Sequence, residues 1–201
     1  IAYAQWSNDP NVNNPICTFI GDQTDPTIIS DGSGGAIIVW PDHRIGSNNS
    51  DIYVQRIDAN GIIQWAIDGI AVCAAANYQL LPAIESDGSG GAIIAWVDNR
   101  YGNNYDIYAQ RVDANGVIQW LLDGVAVCEA TNYQASPTIA SDGNGGALII
   151  WQDKRSGNYD IYAQHINADG ASQWTANGVV ICSAVGTQEY PMAISDGNGG
   201  A

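Results

Sequence analysis

The stretch SDGSGGAIIVWPDHR at residues 30–44 returns as SDGSGGAIIAWVDNR at 86–100 and as SDGNGGALIIWQDKR at 141–155, and its opening recurs as SDGNGGA at 195–201. Self-similarity at a nearly fixed period is the signature of a repeat architecture. The pattern extends outward from this stretch on both sides. Pro26, Pro82, Pro137 and Pro191 stand five residues before each motif aspartate, and Cys17, Cys73, Cys128 and Cys182 stand nine before those prolines. Both series step by 56, 55 and 54 residues. Gln23, Gln79, Gln134 and Gln188 precede each proline by three, and Trp40, Trp96 and Trp151 follow each motif aspartate by nine. Tyr53, Tyr108 and Tyr162 follow in DIYVQ, DIYAQ and DIYAQ, with Tyr3 in IAYAQ near the start. Trp65, Trp120 and Trp174 close the unit in IIQWA, VIQWL and ASQWT.

The drift in period has one source. Six residues separate Arg44 from Asp51, five separate Arg100 from Asp106, and four separate Arg155 from Asp160. A polar surface loop absorbs such changes because its backbone is already solvated. The first unit differs elsewhere, since Cys17 follows Tyr3 by only 14 positions where its counterparts follow by 20. It has lost most of its DANG turn, as terminal caps of repeat arrays do.

Within each unit the pattern is β. PTIIS, AIIVW, DIYVQRI and IIQWA are short runs of Ile, Val, Tyr and Trp bounded by Gly, Asn and Asp. AIIVW, AIIAW and ALIIW are apolar at consecutive positions, which predicts strands buried on both faces. The motif SDGxGG and the segments DANG at 58–61 and 113–116 and NADG at 167–170 read as hairpin turns, with Gly supplying positive φ. GIAVC and its counterparts read either as the end of a fourth strand or as a connection. No segment combines a helical period with helix caps. Four short antiparallel strands per unit, repeated every 54–56 residues, predict an all-β fold: a β-propeller of four-stranded blades. A β-solenoid is the alternative, against which stand the long repeat and the internal hairpins.

The combination Q-x-x-P-x-x-x-S-D-G-x-G-G-A, W-x-D-x-R, D-I-Y-A-Q-R and G-x-x-Q-W resembles the repeat arrays of secreted bacterial β-propeller proteins along nearly the whole chain. The resemblance implies an exported, cell-surface or extracellular protein, in a family without a generally assigned activity.

The units divide as a part-blade over residues 1–25, full repeats over 26–81, 82–136 and 137–190, and the start of another blade over 191–201. A chain that opens on Ile1 reads as a mature chain or as a piece of a longer one. The two part-blades leave three expectations: a fragment of a larger propeller, a four-bladed ring closed by Ile1–Gln5 and Pro191–Ala201, or a filament completed by neighbouring copies.

Composition narrows the partners. Twenty-one acids against six basic residues give a net charge of −15 over 201 residues, which disfavours nucleic acid and anionic membranes. No apolar run is long enough to span a bilayer. The glycine-rich loops lack the helix and the base of a phosphate-binding loop. They offer one carboxylate each where an EF-hand-type loop needs several, so no cofactor is assigned and calcium is the one to consider. Asp42/Arg44, Asp98/Arg100 and Asp153/Arg155, with Asp51, Asp106 and Asp160 nearby, read as repeated ion-pair clusters. The four cysteines sit at equivalent positions and read as buried free thiols rather than disulfides. The repeated Trp and Tyr read as core.

Residues that depart from the repeat are the places to look for function. His43 and His165 have no partner histidine at ligand spacing, and Glu85 and Glu129 are acids whose counterparts are not acidic. Two carboxyls would serve glycoside hydrolysis only at about 5–9 Å. Tyr78 and Tyr133, in the loops AANYQ and ATNYQ, are the exposed aromatic candidates for ligand contact. No catalytic residue or metal ligand is assigned. The resulting expectation is a non-enzymatic extracellular or cell-surface structural module. Its partners would be other chains, or copies of itself joined through the terminal strands. A glycan-binding or glycan-cleaving propeller is the alternative.

Overall fold

The computed structural model describes residues 9, 11 and 13–201. Among them are twelve strands and no helix. The strands form three four-stranded antiparallel sheets, each a simple meander. The first holds β1 (Thr27–Ser30), β2 (Ala36–Asp42), β3 (Asp51–Ile57) and β4 (Ile70–Cys73). The second holds β5 (Gln79–Ser86), β6 (Ala92–Asp98), β7 (Asp106–Val112) and β8 (Val125–Cys128). The third holds β9 (Gln134–Ser141), β10 (Ala147–Asp153), β11 (Asp160–Ile166) and β12 (Val179–Cys182).

The second strand of each sheet is buried along all or nearly all of its length, as its unbroken apolar run requires, with only Ala36 and Ile150 half-buried. Successive sheets pack face to face. Ile37, Val39, Ile52, Val54 and Val72 of the first meet Ile84, Ile94 and Trp96 of the second. Ile93, Ala95, Ile107 and Val127 on the far face of the second meet Ile139, Ile149 and Trp151 of the third. The first strands lie against one another, β5 between β1 and β9, so the sheets fan out from them.

The SDGSGGA motif is the hairpin turn between the first and second strands. The Asp31 carboxylate accepts the backbone N–H of Ser33 and of Gly35, both at 2.8 Å, and the Asp31 N–H donates to Gly35 O. Gly32 and Gly34 take positive φ, and a Cβ on Gly35 would overlap the carbonyl of Ile57. Asp87 and Asp142 repeat the arrangement.

Two expectations are corrected. IIQWA and VIQWL are not strands: Ile63 and Ile118 form only isolated bridges, and the fourth strand is the IAVC segment that follows. Trp65 and Trp120 instead cross to the next sheet, each donating its indole N–H to the turn carbonyl of Ala114 or Ala168. Residues 191–201 form no strand; Pro191, Met192 and Ile194 line an open cleft together with Leu148, Ile150, Ile161 and Ile181 of the third sheet. Among the described residues the sheets do not close into a ring. The strand expected at Ile1–Gln5, with Tyr3, falls outside the described residues.

Candidate functional site

The repeated charged residues resolve into framework. Asp42 sits at the end of β2 with its carboxylate fully buried. It accepts the Trp40 indole N–H at 2.9 Å, the Arg44 backbone N–H at 2.9 Å, and both arms of the Arg44 guanidinium at 2.9 and 2.7 Å. Burial works against its ionisation, but the Arg44 and Trp40 donors outweigh it and hold the carboxyl below the usual range. Arg44 lies 3.5 Å over the Tyr53 ring, which stacks on Trp40, and donates to Asp68 O. Arg100 and Arg155 repeat the cluster. The thiols of Cys17, Cys73 and Cys128 each dock on the next sheet's Asp–Arg pair, and no disulfide forms among the described cysteines. Burial pushes the Cys73 and Cys128 thiols up to about 12, far from a reactive thiolate.

Asp51, Asp106 and Asp160 do not join the arginine as expected. Each stands directly across the ladder from Asp42, Asp98 or Asp153, while the guanidinium of the first cluster is taken up by Asp42 and the Asp68 carbonyl. Burial and then the facing Asp42 push the Asp51 carboxyl up to about 6. A second set of ion pairs went unforeseen: Arg56 reaches Asp31, Arg111 reaches Asp87, and His165 stands within 2.9 Å of Asp142.

One feature is not repeated. A groove runs along the sheet ends that carry the variable loop, between the second and third sheets. At its inner end is a cleft of about 380 Å³ lined by Leu80, Leu81, Val97, Tyr105, Tyr133 and Tyr159. Tyr133 continues into a cleft of about 300 Å³ walled by Asn103, Asn104, Thr131 and Asn132. Asn103, Asn104 and Thr131 are shared in turn with an outer cleft of about 270 Å³ that also contains Tyr101, Asp106 and Glu129. Tyr133 thus stands between the first and second clefts, and three residues wall both the second and the third.

The backbone fixes this lining. Gln134 N–H donates to Tyr105 O at 2.8 Å and Lys154 N–H to Tyr133 O at 2.9 Å, which brings the two tyrosines together with ring centroids 5.6 Å apart and planes tilted by 37°. Tyr133 is 46% exposed. A bulge between Leu80 and Ala83 puts Leu81 at φ 51° and turns its side chain to the groove mouth, as bulges re-aim side chains. At the outer end, Glu129 accepts the Tyr108 hydroxyl, and its N–H donates to Asn177 Oδ1 at 2.9 Å. Burial, then the Glu129 and Asp98 charges, push Asp106 up to about 6. Among the described residues no three His, Cys, Asp or Glu side chains gather as a metal site.

Of the two tyrosines singled out in the sequence, Tyr133 lies in the groove. Tyr78 does not: it sits one repeat earlier, half-buried, with its hydroxyl 3.5 Å from Ser47 O. His43 contacts Asn49 O and stands apart from the groove. Sequence reasoning missed Tyr105 and Tyr159. Their signal was an aromatic directly before Asp106 and Asp160, where the first repeat has Ser50 before Asp51.

No family model and no curated protein matches the chain. Among solved structures it is similar to an endo-arabinase from Bacteroides thetaiotaomicron, at 16% identity and a TM-score of 0.52 over 82% of this chain and 64% of that one. It also matches an endo-1,4-beta-xylanase from the same organism at 9% identity and a TM-score of 0.44, over 84% of this chain and 56% of that one. The chain thus spans less than two thirds of either protein. The expectation of a non-enzymatic module is overturned here. It rested on the premise that a chain of repeated residues is scaffold alone, and the endo-arabinase is an enzyme with a similar all-β fold.

Proposed function

We propose that the chain is a β-propeller-type module of an exported protein that engages a glycan along the groove between its second and third sheets. One observation carries this reading: the Tyr105–Tyr133 pair, half-open to solvent, continues into a wall of asparagine amides. Sugar rings present C–H faces that stack on aromatic surfaces and hydroxyl rims that need donors and acceptors. A groove apolar at one end and amide-lined at the next offers both in sequence. A glycan is also the kind of substrate named for the endo-arabinase of similar fold.

Cleavage of the bound chain is the second reading. Asp106 and Glu129 face one cleft at the groove's outer end, and the raised Asp106 carboxyl is suited to holding a proton near neutral pH. Glycoside cleavage needs two such carboxyls on either side of the scissile bond.

Native affinity electrophoresis through gels containing arabinan, xylan or β-glucan tests the binding reading. At least one polymer is expected to retard the protein, and Tyr133→Ala to abolish the retardation while leaving the circular dichroism spectrum unchanged. Retardation by none, or equal retardation of the variant, refutes it. Release of reducing ends, lost in both Asp106→Asn and Glu129→Gln, is the expectation for cleavage; turnover that survives both substitutions refutes this assignment.

A further inference from the structure

Of the groove's lining, Glu129 is the acid that the repeat does not require. Its counterparts are Ala74 and Ser183, whereas Asp106 has Asp51 and Asp160 at the same place in the other sheets. The other two sheets are built without a carboxylate at this place. The side chain is nevertheless held in place by the Tyr108 hydroxyl, and its own backbone is anchored to Asn177. It shares the outer cleft with Asp106, Asn104 and Tyr101.

The cations near this end are committed. The Arg100 guanidinium donates to Asp98 at 2.7 Å and to Asp123 O at 2.8 Å, and lies 3.6 Å over the Tyr108 ring. Lys154 belongs to the opposite end, with Nζ 5.6 Å over Tyr159. The outer cleft therefore presents two acids among neutral polar groups and no cation: Tyr101, Asn103 and Thr131, and the Asn104 amide, whose nitrogen is already spent on Asp106 and Ala130 O. Such a surface accepts hydrogen bonds from sugar hydroxyls. A sugar carboxylate placed there meets two like charges with only the neutral donors of Tyr101, Asn103 and Thr131 beside them and no cation to pair with, which is how a binding site disfavours a close relative of its ligand.

We propose that Glu129 sets the charge selectivity of the groove, so that its outer end takes uncharged sugars and disfavours uronates. The proposal rests on the glycan reading above and adds a specificity residue to it.

The test is native affinity electrophoresis at pH 7.5 in 150 mM salt, where charges farther apart than about 8 Å are largely screened. Gels contain either a neutral polymer (arabinan, xylan or β-glucan) or polygalacturonate. The proteins are the wild type, Glu129→Gln and Glu85→Gln, the last removing one charge from β5 away from the groove. The wild type is expected to be retarded measurably less by polygalacturonate than by a neutral polymer. Glu129→Gln is expected to strengthen polygalacturonate binding by about two- to fivefold, the scale of a charge interaction at an exposed site. Glu85→Gln is expected to leave it unchanged. Equal retardation of the wild type by polygalacturonate and a neutral polymer overturns the proposal while leaving the glycan reading intact. So does a Glu129→Gln protein that behaves like Glu85→Gln. Retardation by no polymer defeats the glycan reading, and this proposal with it.

Discussion

Replacing Asp51 by asparagine should stabilise the protein, and the gain should vanish in mild acid. Asp51 is buried at the start of β3, directly across the ladder from Asp42, whose carboxylate is saturated by Trp40 and Arg44. Among the described residues, the hydrogen bond its carboxylate accepts comes from the Asn49 amide at 3.3 Å. Burial first, and the Asp42 charge second, raise its carboxyl from 3.8 to about 6. A carboxyl with a raised folded value binds its proton more tightly in the native state. It favours folding while protonated, and that contribution is lost as pH rises from 3.8 through about 6. Each tenfold change in proton affinity is worth about 1.36 kcal/mol, so the penalty above pH 6 has a ceiling of about 3 kcal/mol. The amide introduces N–H groups that the saturated Asp42 cannot fully accept, which costs about 1–2 kcal/mol. The expected gain for Asp51→Asn at pH 7.5 is therefore about 1–2 kcal/mol, or roughly 2–8 °C in Tm for a chain of this size. Urea unfolding followed by tryptophan fluorescence at pH 7.5 and pH 4 measures it. At pH 4 the gain should disappear. Wild type and variant with the same midpoint at pH 7.5, or a difference that does not change between the two pH values, would refute the assignment of Asp51 as a buried, like-charged carboxyl.

Two further outcomes follow from the packing. Gly35→Ala places a methyl against the Ile57 carbonyl and the Asp31 carboxylate, so the turn must shift; a loss of about 1–3 kcal/mol in urea unfolding is expected, whereas Gly32→Ala meets open space and incurs only the cost of its positive φ. The open face of the third sheet leaves Ile181 59%, Met192 95% and Ile194 83% exposed. Contiguous apolar surface of this kind drives association, so sedimentation velocity should show a concentration-dependent larger species that Ile181→Glu abolishes. A single species at all concentrations would argue against a docking role for that face.

The sheets were legible because the signals that specify them are local and repeated. The consecutive apolar run of AIIVW, the Asp–Gly turn before it and the tryptophan nine residues after each motif aspartate all act within a dozen residues, and each was read three times over. The fourth strand was misplaced for the opposite reason. IIQWA carries the stronger β composition, yet Gln55 takes the Trp65 N–H with its side-chain oxygen, and the Trp65 ring is spent on the neighbouring sheet's Ala114. That contact joins residues 49 apart, beyond any local pattern. Tertiary packing overrode propensity.

The groove was half legible, and the half that was missed shows where function sits in a repeat. Tyr133 stood out as an aromatic in a loop; Tyr105 did not, because it belongs to a different repeat position and reaches Tyr133 only through the Gln134–Tyr105 backbone bond between sheets. The same inter-sheet bond joins Gln79 to Ser50 one sheet earlier, with a serine where the second sheet has a tyrosine. The scaffold therefore builds the same junction at least twice and furnishes it differently each time. Framework residues such as Trp40, Asp42 and Arg44 are bound to one another and matched in every copy, so a change there breaks bonds the fold uses. The residues at the junction are not matched from copy to copy, and Glu129 stands where the first sheet has Ala74. Chemistry accumulates where the repeat is free to vary, which makes departures from the repeat, taken in pairs across neighbouring sheets, the proper unit in which to search such a sequence for a site.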